Sequence, residues 1–561
     1  MMLCVSDIVL GKVGNVSRPD YVEVVSRRPL PLGTYVSIPF NEVDPITNED
    51  VNHCLIGVVS STKYRRAIPV SGAATLESEE LYTEFEQQLA QYGSSFIRVF
   101  ADIVRNTIST PRTPPPPNAN VYLAPSNTLE LLFSRKGESS IPIGHLVGRP
   151  DVVVYVDVNA LVKHLFVTGT TGSGKSNTVA IVIDRVARLG GMIIVYDVHG
   201  EYAALQPLDP NVKIKVVDLY INPLRISSNI LARMIVPEGS ATVQRRLVSR
   251  ALKEAQKLFE NVLNRYGATP SAVEELRKKL GSSTSSQQLL DDERFGEQAS
   301  QDIDRALTEL YKRYVLKAIE RYRSDAVSER SREAAIMKVE EFFEFANVSF
   351  TSPSPIELLE PRTIVVLNAS ALDDEQRDYM LKVVADELLW FAKHSTAIGK
   401  PRPVVLVVEE AHLFLSTSRE TSSRKSIERL SREGRKFGVS LIIVSQRPRN
   451  IDTNTVSQIQ NFVFMKLVQE ADQQAIMNAS DMLTDDLARS LSSMDTGEAI
   501  VLGEWIGRFP AFVKIDKHIG KRSGASPNIA RLWRNLAEEY EISKRSVELH
   551  TAAYNDLRDL L

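Results

Sequence analysis

The chain has 561 residues, with 67 Lys and Arg against 70 Asp and Glu and a formal net charge of −3. At roughly 100–200 residues per domain it holds three or four structural units, and 43% hydrophobic with 24% charged residues excludes long-range disorder. The near-neutral balance excludes a surface that is polycationic throughout, and the two cysteines, Cys4 and Cys54, exclude a disulfide framework or a four-cysteine zinc site and suit a reducing cytosol.

Residues 1–10 are too few, and lack the basic start, for a secretory signal. No apolar run approaches the ~20 residues a bilayer requires. A soluble cytoplasmic protein without a membrane anchor is expected. Residues 22–25, 34–38, 56–60 and 96–104 are rich in β-branched and aromatic residues separated by Gly, Pro and Asn, which predicts short strands of a small antiparallel barrel. Residues 78–92 have a helical pattern. The run from Pro114 to Pro117 joins neither a helix nor a sheet interior, so it predicts a stiff exposed segment. Residues 120–123 and 128–133 predict a strand pair returning to the barrel.

From Val152 the pattern changes. Apolar runs of strand length lie at 165–168, 193–197, 213–217, 363–368, 404–408, 441–445, 462–467 and 499–503. Helical segments such as 178–189 and 377–394 separate several of them, so a mostly parallel sheet with helices on both faces follows. Between 226 and about 345 the strand signal disappears, and amphipathic spacing over 243–266 and 297–323 predicts an inserted helical subdomain, with 281–288 as its loop. Residues 527–561 read as a charged helical tail, either an arm that packs on a partner or a helix that covers its own domain.

Gly169-Thr-Thr-Gly-Ser-Gly-Lys-Ser176 matches the P-loop pattern in full, after an apolar strand and before a helix. Its glycines let backbone N–H groups surround a β-phosphate at the positive end of a helix. Lys175 then reaches the β- and γ-phosphates and Ser176 ligates Mg²⁺, so the motif predicts binding of a nucleoside triphosphate, ATP. The apolar strand 404–408 ends in Glu409 and Glu410, where the C-terminal edge of such a sheet faces the phosphates. Glu409 is assigned to the magnesium's water shell and Glu410 to the attacking water. An acidic pair that merely starts a helix has the same sequence.

Three further stretches bear on this chemistry. Strand 441–445 is followed by Gln446, placed to sense the γ-phosphate, although a turn-capping amide has the same pattern. Arg435, in the charged run 432–438, is a candidate finger into a neighbouring subunit, or part of a solvated helix face. Asp197, opening Asp-Val-His-Gly-Glu-Tyr202, supports the magnesium or the water, unless it is a cap.

With these residues in place the chain resembles the HerA branch of the HerA–FtsK ATPases, archaeal hexameric DNA translocases. The matching stretches are GTTGSGKSNT, DVHGEY, VVEEAH, SREGRKFGVSLIIVSQRP and FPAFVKIDKH. The resemblance implies a RecA-like P-loop core of the α/β class with a helical insertion, a small N-terminal β-barrel and a helical C-terminal extension. The corresponding division is barrel 1–138, core 139–225 and 347–515, insertion 226–346 and extension 516–561. It implies phosphate binding by Gly172, Ser173, Gly174, Lys175, Ser176 and Asn177, with Gly169 opening the loop, catalysis by Glu410, a sensor at Gln446 and a trans-acting or sensing role for Arg435. The basic residue before His164 is a further site near the nucleotide; here it is Lys163, which lacks the bidentate fork of the family's arginine. Val198 stands where the family has proline.

The implied function is an ATP-driven translocase or helicase on duplex DNA. It acts as a homo-hexamer with a NurA-type nuclease in DNA end resection and repair. A ring explains the neutral composition, because repetition multiplies a few pore contacts to phosphate. Arg233, Arg245 and Arg246 are candidates for those contacts, or ordinary solvated residues. Two other readings stay open: a motor on the same core that moves protein, and a nucleotide-switched scaffold for a nuclease. A small-molecule phosphotransferase ranks last, because no acceptor site is recognisable.

Overall fold

A computed structural model of the chain describes residues 4–43, 48–66, 91–237, 241–280, 297–322, 327–507 and 509–520, with 529, 531, 533–536 and 538. Its N-terminal part is a closed antiparallel barrel of strands β1 (Val9–Ser17), β2 (Tyr21–Ser26), β3 (Tyr35–Val43), β4 (Asp50–Arg66), β5 (Gln91–Val104) and β7 (Asn120–Leu123), with the short β6 (Thr107–Ser109) at the edge of β5. The order is β2-β1-β7-β3-β4-β5, and β2 pairs with β5 to close the circuit. Alternate residues point inward, so Val22, Val24, Val36, Ile38, Leu55, Ile97, Val99 and Val121 form one small core. Closure removes the exposed edges that short strands otherwise present.

Two expectations for this region change, and a third falls mostly outside the described residues. Residues 128–133 belong to helix α1 (Ser126–Phe133) rather than a strand, because Pro125 precedes the first turn and Leu129, Leu132 and Phe133 bury one helical face. The helical pattern at 78–92 falls on residues 78–90, outside the described residues, while Gln91 and Tyr92 open β5. Cys4 and Cys54 are joined as a disulfide, which ties the N-terminal segment to β4.

The second body is an 11-stranded sheet. It is built from β8 (Ser140–Leu146), β9 (Arg149–Asp157), β10 (Leu165–Thr168), β11 (Met192–Asp197), β12 (Lys213–Asp218), β13 (Thr363–Asn368), β14 (Val404–Val408), β15 (Val439–Ser445), β16 (Asn461–Met465), β17 (Glu498–Gly503) and β18 (Ala511–Ile515). The order is β12-β13-β11-β14-β15-β10-β16-β17-β18-β8-β9. Strands β12 to β16 in that order are parallel, and all but the edge strand β12, which is half-exposed, are almost wholly buried, as their continuous apolar runs require. Strands β17, β18, β8 and β9 extend the sheet antiparallel, so the run at 499–503 is not part of the parallel set. The sheet carries α2 (Lys175–Arg188), α8 (Asp374–Ala397) and α9 (Arg424–Glu433).

Between β12 and β13 the chain forms α3 (Ser228–Ile235), α4 (Thr242–Tyr266), α5 (Pro270–Leu280), α6 (Glu297–Arg321) and α7 (Glu329–Phe345). Their apolar faces meet around Phe259, whose ring is T-shaped against Tyr311 at 5.0 Å. A bridge between Ile221 and Val348 closes the insertion onto the sheet. The loop expected at 281–288 and most of the tail at 527–561 lie outside the described residues. Barrel and sheet meet through Phe512 N–H donating to Tyr35 Oη at 2.9 Å and an Arg98–Asp486 ion pair at 3.0 Å. Among the described residues no helix is long and apolar enough to cross a membrane.

Candidate active site

The P-loop leaves β10 and turns directly into α2. Gly172 and Gly174 adopt φ of +78° and +112°, which side-chain-bearing residues resist. A Cβ at Gly169 would lie 2.7 Å from Ser173 Oγ and 2.8 Å from Met465 Cβ, so that turn also has no room for a side chain. Lys175 folds back, its Nζ donating to the carbonyls of Gly169 at 2.9 Å and Thr170 at 3.0 Å. Burial lowers the affinity of this ammonium for its proton, against the opposing pull of Glu410, Glu409 and Glu201. Ser176 stands in the first turn of α2, and Gly497 N–H donates to Ser173 O at 2.8 Å, bracing the loop from the β17 side.

Strand β14 delivers the acidic pair two strands away in the sheet. Glu410 adopts φ +46° and ψ +43°, a left-handed conformation that costs a residue with a Cβ of order 1 kcal/mol and is concentrated at functional sites. His412 Nδ1 lies 3.1 Å from Glu410 Oε2 and His199 Nε2 lies 3.9 Å from Oε1. Even so, Oε2 is buried with no hydrogen bond of acceptable geometry. Burial alone raises this carboxyl, but His412, Lys175 and His199 outweigh it and hold it below its ordinary value. Glu409 behaves in the opposite way. Burial first, then the charges of Glu201, Glu410 and Asp197, push it up to about 8, against the hydrogen bond it accepts from the Tyr202 hydroxyl.

Asp197 sits at the end of β11 and accepts four backbone bonds, from His199 at 3.3 Å, Gly200 at 2.9 Å, Glu201 at 3.1 Å and Tyr202 at 2.8 Å. Its carboxylate is therefore the cap of the 198–202 loop, the second of the two readings its sequence permits. Gln446, just past β15, is at the P-loop itself: Thr171 Oγ1 donates to its Oε1 at 2.7 Å. The sheet order thus brings Lys175, Glu409, Glu410, Gln446 and Thr171 to one edge. Tyr202, His412 and Thr171 carried no assignment from sequence. Each lies inside a motif already singled out, but which of its side chains turns inward depends on the loop geometry.

Three predicted residues lie elsewhere. Asn177 turns sideways: its Nδ2 donates to Asp516 O at 2.7 Å and its Oδ1 accepts from His518 N–H at 2.9 Å, clamping the start of the C-terminal extension to α2. Lys163 precedes β10, so it stands at the opposite edge of the sheet from its own P-loop and is ion-paired with Glu504. Arg435 precedes β15 at that same far edge and is exposed. Between them His164 is buried, accepting from Leu441 N–H at Nδ1 (3.0 Å) and donating from Nε2 to Ser431 O (2.7 Å). Burial lowers its pKa, the Ser431 bond opposes this and the Arg435 charge reinforces it. Of the arginines considered for DNA, Arg245 is committed to the carbonyls of Val236 and Pro237, while Arg233 and Arg246 are exposed.

Among the described residues no cluster of three or more His, Cys, Asp or Glu forms a metal site by itself. The oxygens of Ser176 and the acidic pair, with Glu410 Oε2 buried and without a hydrogen bond of acceptable geometry, are the donor type a hard divalent cation takes beside a triphosphate.

Residues 141–388 match the family model described as the central domain of helicase HerA. A DNA double-strand break repair helicase HerA from Sulfurisphaera tokodaii is 33% identical over 439 residues, 77% of this chain and 80% of that protein. A helicase of the same name from Sulfolobus acidocaldarius is 33% identical over 434 residues, 76% and 79% of the two chains. The one from Saccharolobus solfataricus is 29% identical over 551 residues, 97% and 99%.

Proposed function

This chain belongs to the HerA helicase family, and from that membership we propose that it is an ATP-hydrolysing translocase or helicase acting on duplex DNA in double-strand break repair. The observation that carries the reading is the meeting at one sheet edge of a complete P-loop, a buried acidic pair whose Glu410 is flanked by His412, and Gln446 bonded to the loop.

In this reading the amides of the loop from Gly169 through Gly174, including Gly172 and Ser173, and the backbone N–H of Asn177 bind the phosphates. Lys175 exchanges the Gly169 and Thr170 carbonyls for phosphate oxygens. Ser176 and Glu409, the latter once it has lost its proton, would hold Mg²⁺, which would neutralise charge developing on the phosphates. Glu410, ionised at neutral pH, orients the attacking water and accepts its proton, and His412 keeps the carboxylate from swinging away. Gln446 reports the γ-phosphate to the strand end it terminates. Asp197 acts through the loop it caps, and Arg435 and Lys163 act on the site of a neighbouring copy.

The finer parts of the proposal are a homo-hexameric ring that passes duplex DNA through its pore, and a NurA-type nuclease partner. The division into barrel 1–138, core 139–225 and 347–515, insertion 226–346 and extension 516–561 belongs to the same proposal. The experiment is ATP hydrolysis with and without linear duplex DNA, in the wild type and in Glu410→Gln. DNA should stimulate the wild type, and the variant should lose ~10²-fold or more of the rate while still binding ATP. Equal hydrolysis with and without DNA would sink the autonomous DNA motor and favour a protein-moving or scaffold role.

A further inference from the structure

We propose that Tyr202 is a positioning residue for the acidic pair, its hydroxyl setting the Glu409 carboxylate and through it the affinity of the site for a divalent cation. The proposal rests on the hydrolytic reading above and deepens it.

Tyr202 is 1% exposed and among the largest fully buried side chains of the molecule. A buried phenol needs an acceptor, and many would serve. The one it has is Glu409 Oε1, a carboxylate crowded by Glu410, Glu201 and Asp197. Once Glu409 is ionised, as a cation ligand must be, the like charges favour turning it outward, and a fixed donor opposes that. The donor is fixed from the other side as well. Tyr202 N–H bonds Asp197 Oδ2 at 2.8 Å, and Asp197 Oδ1 gathers the N–H groups of His199, Gly200 and Glu201. Gly200 makes the turn at φ +73°. The ring thus cannot move away from Glu409 unless the capped loop opens. A chain of contacts runs from the end of β11, through Asp197 and Tyr202, to the carboxylate at the end of β14. Through it Asp197 would bear on the site although its own oxygens are spent on backbone.

Tyr202→Phe removes only the hydroxyl and keeps the ring that fills the core. Two quantities separate positioning from plain stability. One is the affinity for a fluorescent ADP analogue, measured by equilibrium titration in EDTA and again in Mg²⁺. The other is the Mg²⁺ concentration giving half-maximal ATP hydrolysis. The variant is expected to bind the analogue like wild type in EDTA, to lose most of the gain that Mg²⁺ provides, and to need about tenfold more Mg²⁺, the order expected for a lost hydrogen bond to a charged group. In a Glu409→Gln background the same change should have no further effect on the Mg²⁺-dependent gain. Equal losses in EDTA and in Mg²⁺ would make Tyr202 a packing residue only and overturn the proposal. So would a wild-type Mg²⁺ response in Tyr202→Phe while Glu410→Gln is inactive. If Glu410→Gln hydrolyses ATP at the wild-type rate, the reading of the acidic pair fails, and the proposal with it.

Discussion

At the C-terminal ends of β10, β14 and β15 the molecule gathers the P-loop, the acidic pair and Gln446: Thr171 bonds the loop to Gln446, Tyr202 bonds Glu409 and His412 pairs with Glu410. At the N-terminal ends of β10 and β15 it holds Lys163 and Arg435, with His164 buried between their segments. Strand β10 is four residues long, so the two edges are at least ~13 Å apart. One edge has carboxylates and amides placed for phosphate chemistry; the other has cations with no phosphate site of their own chain near them. In the proposed reading the two edges are complementary halves of one site that face away from each other within a chain. They meet only if the far edge of one copy is set against the near edge of the next, the head-to-tail arrangement that closes into a ring.

The sharpest way to break that comparison is to separate the halves between chains. Arg435→Ala should lower ATP hydrolysis by about 10³-fold or more if the guanidinium works as a finger. Lys175→Ala should be inactive through its own P-loop. When the two variants are mixed and allowed to reassemble, interfaces pairing an intact P-loop with an intact Arg435 reappear, and a fraction of the wild-type rate should return. A mixture as inactive as its components would place Arg435 in cis or outside the chemistry.

How much of this was legible beforehand differs between the same two edges. The parallel strands announced themselves as continuous apolar runs, and the P-loop and the acidic pair are local in sequence, so composition and spacing sufficed. The antiparallel β17, β18, β8 and β9 carry the same apolar residues, and a run of five cannot state its direction. Residues 128–133 looked like a strand because Leu, Leu and Phe serve either period; Pro125 and the helical spacing of 129, 132 and 133 decided it. Asp197 and Asn177 were ambiguous for a physical reason: a short polar side chain at a strand end or helix start serves a phosphate or a neighbouring backbone equally well. The cysteine pair needed the barrel, which brings residues 50 positions apart together.

His164 tests whether the far edge is built or incidental. Its two bonds hold β10 to the segment that carries Arg435, so His164→Ala leaves Leu441 N–H buried without a partner and a cavity beside it. A loss of about 2–4 kcal/mol in stability is expected, read from denaturant unfolding of the nucleotide-free protein. Burial depresses the folded-state pKa of this histidine below its unfolded value of 6.5. Its contribution is therefore fully present above pH 6.5 and is lost as pH falls from there through the folded pKa, when protonation favours the unfolded chain. Wild type should lose stability across that window, and the variant should lose less. Equal acid slopes in the two proteins would remove His164 as the anchor of that edge.

The smallest expected effect sharpens the near edge. Thr171 donates to Gln446 Oε1, which orients the amide so that its N–H₂ group is the part left to meet an incoming phosphate. The bond is exposed at the mouth of the loop, so its net worth is about 1 kcal/mol, or roughly fivefold in a rate. Thr171→Val keeps the shape and removes the donor. If the bond preorganises Gln446, kcat falls by that factor while the affinity for ATP is unchanged, because the loop amides and Lys175 are untouched. If Thr171 instead holds Gln446 away from the nucleotide, the same substitution frees the amide and kcat rises. The sign of one small change thus decides whether the near edge is already set for catalysis or must first release a contact.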